Sequence, residues 1–63
     1  MPTAPRLPGD EAAVLDAIGD SVRHVDGVAG ATRLPTNRIL AALLSLELRG
    51  LVESLPGKQY RRA

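Results

Sequence analysis

The chain has 63 residues, no cysteine, one tyrosine as its only aromatic residue, and a formal net charge of +1. This length supports one small domain, near the lower size limit for an unstapled core, and without cysteine neither disulfides nor a thiolate metal site can hold it. The core must come from Leu, Ile, Val and Ala. The charge balance is too slight to argue by itself for nucleic acid or an anionic membrane, so any such case rests on local clustering.

The opening "MPTAPRLPGD" carries prolines at positions 2, 5 and 8 and reads as an extended linker over residues 1–8, ahead of a domain over 9–63. It lacks the apolar stretch of a signal peptide, and no run approaches a membrane span, so a cytoplasmic protein without membrane contact is expected. A domain this small behind a proline-rich lead reads as part of a longer protein. Asp10 suits a helix N-cap and Glu11 a first helical turn; Val14, Leu15 and Ile18 then form an apolar stripe that Gly19 ends. "SVRHV" is too short for a helix, and Val22 and Val25 suit a small strand. Val25, Val28 and Ala29 mark a second helix. Gly27 and Gly30 each cost it roughly 1 kcal/mol relative to alanine, so tertiary packing must hold it, with Gly30 allowing a close helix contact.

"TRLP" is a turn, and Pro35 is tolerated at the first position of a third helix spanning Thr36 to Arg49. Gly50 supplies the left-handed residue that often follows a helix end. The period then changes to alternation. Leu51 to Leu55 make a strand, "PGK" a turn and "QYRR" a return strand, with Tyr60 facing the core. Two strands alone are marginal, so a third near Val22 is expected to close the sheet. The fold class is mainly α with a small antiparallel β-sheet: a winged helix-turn-helix of three helices and a β-hairpin wing. Leu15, Ile18, Val28, Ile39, Leu43, Leu46 and Val52 are the expected core.

The stretches "DEAAVLDAIGD" and "HVDGVAGATRLPTNRILAALLSLELRGLVESLPGKQYRR" resemble the C-terminal winged-helix domain of the DprA (Smf) family of DNA-processing proteins. The resemblance runs from about Leu7 to Arg62. It is strongest in "LELRGLVESLPGKQYRR", which holds the end of the third helix, its glycine cap, the wing and the tyrosine of the last strand. Arg33 stands where the family often has glycine, and arginine disfavours a left-handed backbone there. The resemblance implies natural transformation and DNA recombination, in which such proteins bind single-stranded DNA and help load RecA. The family's single-strand site lies in a Rossmann-like domain outside this chain. The resemblance thus implies as partners the remainder of a DprA-like protein and RecA-pathway components, and leaves this module an accessory role.

In a DNA-binding winged helix the third helix enters the major groove and the wing touches backbone or minor groove. The face expected to point outward here is Asn37, Arg38, Ala41, Ala42, Ser45 and Arg49. Asn37 and Arg38 suit base edges, Thr36 a phosphate, and Ser45 a further polar contact. Arg33, Lys58, Arg61 and Arg62 suit phosphates. Two alanines on that face argue against sequence specificity, so weak, non-specific duplex binding is the expectation. The same helix is rich in leucine. Leu40 and Leu48 are expected to be buried; Leu44 is not, and beside Ala41 it is the candidate protein contact.

Catalysis is not expected. His24 has no cysteine to join it in a metal site and suits a helix start or the surface. Ser21 and Ser45 lack a nucleophile signature, "LPGD" and "LPGK" lack phosphate-loop spacing, and one aromatic residue is no stacking platform for single strands. No cofactor is implied. Two functions remain: an auxiliary duplex-binding module, or a protein-interaction or self-regulatory docking module.

Overall fold

The computed structural model describes residues 9–63; the expected linker over residues 1–8 lies outside the described residues. Three helices, α1 (Gly9–Ile18), α2 (Val25–Thr32) and α3 (Thr36–Leu48), alternate with three strands, β1 (Arg23–His24), β2 (Val52–Leu55) and β3 (Gln59–Arg62). The strands form one antiparallel sheet in the order β1-β3-β2. Across β2 and β3, Val52 faces Arg62 and Leu55 faces Gln59; β1 sets Arg23 opposite Tyr60.

Local chemistry explains each boundary. Gly19 ends α1 with φ +62° and donates its N–H to the Leu15 carbonyl. Asp10, expected as the N-cap of α1, instead lies inside its first turn, because the helix starts at Gly9. The extended residues before α2 are Arg23 and His24, while Val22 stays outside the sheet and 49% exposed. His24 caps α2: its Nδ1 accepts the Asp26 N–H at 3.0 Å. This is the helix-start role expected of a lone histidine, and it requires the tautomer with Nδ1 unprotonated.

Arg33 closes α2 in the left-handed region, at φ 60° and ψ 20°, despite its Cβ. Its N–H reaches the Ala29 carbonyl at 2.8 Å, and Thr32 bridges the turn by donating to the Val28 carbonyl and accepting the Leu34 N–H. Three bonds over so few residues hold a backbone that glycine adopts more readily. Pro35 is the N-cap of α3 rather than its first residue, and its carbonyl accepts from Arg38 and Ile39. At the far end Gly50 (φ +75°) donates to Glu47 and Leu51 to Leu46, the paired bonds of a Schellman motif. That motif turns the chain out of α3 and into β2. The wing turn is Pro56-Gly57-Lys58, with Gly57 at φ +85° and Lys58 at φ 58°.

The core is aliphatic: Val14, Ile18, Val25, Val28, Ile39, Ala42, Leu43, Leu46 and Val52 are buried, and Leu15, Ala17, Ala29, Leu34 and Tyr60 pack around them. On α1 Val14 and Ile18 are fully buried, and the expected core residue Leu15 sits at the margin. Gly30 makes no close contact; a Cβ there would meet open space. The main correction concerns the rotation of α3. Ala42, expected outward, is 4% exposed, whereas Leu40 and Leu48, expected inside, are 48% and 81% exposed. The buried face runs through Ile39, Ala42, Leu43 and Leu46, so small Ala42 brings α3 up to α1 and larger side chains fall outside.

Truncating Leu43 or Leu46 to alanine is expected to cost about 2–5 kcal/mol of unfolding free energy in chemical denaturation. Leu48→Ala, on the exposed side, should change it by no more than about 0.5 kcal/mol.

Candidate functional site

The surface that could carry function is the outer side of α3 with the wing turn beside it. At its N-terminal end Arg38 does not face solvent freely. Its guanidinium grips the Asp10 carboxylate of α1 in a two-pronged contact, Nε to Oδ2 at 2.7 Å and Nη2 to Oδ1 at 2.5 Å. The hydrogen bond to Arg38, followed by its charge, holds the Asp10 carboxyl below the usual aspartate range; the same pair raises Arg38 further. About three helical turns on, Arg49 Nε lies 3.0 Å from Glu11 Oε1. The two charges pair by distance, yet the N–H is not aimed at that oxygen, which is buried without a hydrogen bond. Glu11 is therefore held by Coulomb attraction and packing, with its side chain 11% exposed. Two acidic residues on α1 thus take up Arg38 of α3 and Arg49 at its C-cap.

The wing cations divide in the same way. Arg61 pairs with Glu53 directly across the β2–β3 ladder. Arg62 turns to the opposite face and donates to the Leu15 carbonyl at the end of α1, 3.2 Å away. Arg23, Arg33 and Lys58 make no ion pair among the described residues. Lys58 borders a cleft with Thr36 and Leu40 of α3, His24 of β1, Asp26 of α2, and Tyr60. Among the sequence-derived DNA candidates, the structure thus brings Thr36 and Lys58 together. Asn37 and Arg38 line a separate depression against Gly9 and Asp10 on the α1 side, with Ala41 and Ala42. Ser45 is half-buried, Arg33 is exposed at the C-cap of α2, and Arg61 and Arg62 are engaged by Glu53 and the Leu15 carbonyl.

The outer side of α3 is instead apolar. Leu40, Leu44 and Leu48 recur every fourth residue at 48%, 59% and 81% exposure, and Leu51, past the glycine turn, is 38% exposed. Ala41 is exposed beside them, and Glu47 flanks the row, bound to the Ser54 hydroxyl at 3.3 Å. Leu44 and Ala41, the protein-contact candidates, are both part of this surface. Sequence reasoning missed Leu40 and Leu48 as members of it and Asp10 and Glu11 as the anchors of Arg38 and Arg49. The only signal was an acidic pair at the start of one helix and a basic pair along another, with no local spacing to link them. Among the described residues, no three His, Asp or Glu side chains cluster as metal ligands, and no helix is long and apolar enough to cross a membrane.

Three helices followed by a hairpin that packs beside the third define a winged helix-turn-helix domain. The family described as the DprA winged helix domain matches residues 1–58, and the chain belongs to it. No curated protein and no solved structure gives a match.

Because Arg38 depresses Asp10, the carboxylate's contribution to stability is full above the ordinary aspartate value of about 3.9 and disappears as pH falls through the lower folded value. A carboxyl-carbon NMR titration should place the Asp10 midpoint below that of ordinary aspartate. Arg38→Ala should return it to the ordinary value.

Proposed function

We propose that this domain is a non-catalytic accessory module of a DprA-type DNA-processing protein in the cytoplasm, and that it works chiefly by protein contact through the leucine face of α3. The observation that carries the reading is the exposure of Leu40, Leu44 and Leu48 in one row on the helix that a DNA reader would insert into the major groove. A leucine row offers a base edge no hydrogen bond; beyond the thymine methyl it has nothing to recognise there. Desolvated apolar anchors are what a protein contact requires. Arg38, placed well in sequence to read bases, is neutralised and oriented by Asp10.

A weaker contact with duplex DNA is a second component of the reading, favoured by Lys58 at the wing turn, Thr36 at the start of α3, and Arg33. Few free cations mean few released counterions, so such binding is weak, blind to sequence, and falls by about 0.9 log units per tenfold salt for each phosphate contact.

A fluorescence titration of a labelled duplex tests the division of labour. Binding should be detectable only at low salt and should be removed by replacing Arg33 and Lys58 together with alanine. Leu44→Glu should leave the folded domain intact and have far less effect than the double replacement, beyond the added negative charge. Tight duplex binding at physiological salt, destroyed by Leu44→Glu, would instead make the leucine face a groove-docking surface and overturn the proposal.

A further inference from the structure

Resting on the reading of α3 as a protein-contact helix, we infer that the occupant of its leucine face is a second copy of the same chain, paired antiparallel about a two-fold axis that passes beside Leu44. The row is self-complementary under that operation. With Leu44 meeting Leu44 of the partner subunit, Leu40 meets Leu48 of the partner subunit, and the reverse contact follows by symmetry.

Charge selects the antiparallel arrangement. Lys58 borders Leu40 toward the N-terminal end of the face, and it has no ion-pair partner among the described residues. Glu47 flanks the row toward the C-terminal end, on the side of α3 that faces the sheet, where its carboxylate accepts from the Ser54 hydroxyl and makes no ion pair among the described residues. A two-fold axis perpendicular to the helices keeps that side against the equivalent side while reversing direction. Lys58 of one copy therefore approaches Glu47 of the partner subunit, twice per dimer. A parallel pairing would bring the Glu47 side against the side that holds Arg38 and Ser45, where Arg38 is already occupied by Asp10. One helix face covers less than the roughly 800 Å² per partner of a standard interface, so the association is concentration-dependent rather than permanent.

Sedimentation equilibrium of the whole chain over a range of concentrations tests this directly. The weight-average mass should rise from one chain toward two. Leu44→Glu, which puts two carboxylates together at the axis, should hold it at one chain while circular dichroism shows the fold intact. Lys58→Glu alone and Glu47→Lys alone should each weaken dimerisation, and the two together should restore it, because the pair is rebuilt with its charges exchanged. A chain that stays monomeric at the highest soluble concentration would overturn self-pairing, as would a dimer indifferent to Leu44→Glu. A dimer that Leu44→Glu breaks but the double charge exchange fails to restore would overturn the antiparallel register. None of these outcomes touches the protein-contact reading itself, which stands or falls on the duplex titration.

Discussion

The rotation of α3 about its own axis is the constraint on which the rest of the surface depends. Burial of Ile39, Ala42, Leu43 and Leu46 fixes that rotation, and these side chains lie 0–4% exposed between α1 and the sheet. Each buried isoleucine or leucine side chain contributes on the order of 1.5–3 kcal/mol relative to exposure, so no polar contact at the surface can turn the helix against them. Once this face is inside, the places of the others follow at 100° per residue. Arg38 and Arg49 arrive on the α1 side, and Leu40, Leu44 and Leu48 on the far side.

The ion pairs are consequences of that rotation rather than its cause. Arg38 and Asp10 are 53% and 33% exposed at the side chain, and such pairs have little net worth in water. Their importance is in what they remove from the surface. A helix that presents arginine in its sequence presents none free along this side, because α1 opens with two carboxylates that meet it. Glu53 takes Arg61 from the wing and the end of α1 takes Arg62. The formal charge of the chain is therefore a poor guide to the field a partner would meet; among the described residues Arg23, Arg33, Lys58 and Arg62 are the cations without an acidic partner, and Arg62 is tied to a backbone carbonyl.

The winged-helix scaffold and the leucine face answer different questions. The scaffold, together with membership of the DprA winged helix domain family, defines the type of module. The surface of α3 bears on how the module makes contact, because a fold hosts whatever chemistry its exposed side chains supply. Here the position that reads DNA in other winged helices carries aliphatic side chains, and the polar groups beside it are few. On the protein-contact reading proposed above, that combination sets the leucine face apart from the groove-reading surface most often associated with the architecture.

By itself the sequence determined the order of the elements, the glycine exit from α3, the hairpin turn at Pro56-Gly57, and the buried side chains Ile18, Val28, Ile39, Leu43, Leu46 and Val52. These are local features, written in periodicity, in glycines that tolerate positive φ, and in the change from helical to alternating pattern at Gly50. It did not determine which of the leucines on α3 are inside. Six isoleucine and leucine side chains encircle much of that helix, and periodicity alone leaves its rotation open by one position either way. The tertiary structure decided it by setting Ala42 against α1, since a small side chain lets the two helices approach while Leu40 and Leu48 would hold them apart. It likewise decided the pairing of Arg38 with Asp10, 28 residues away, and the left-handed backbone at Arg33. An ion pair between helices and a turn held by converging hydrogen bonds depend on distances that exist only once the chain has folded.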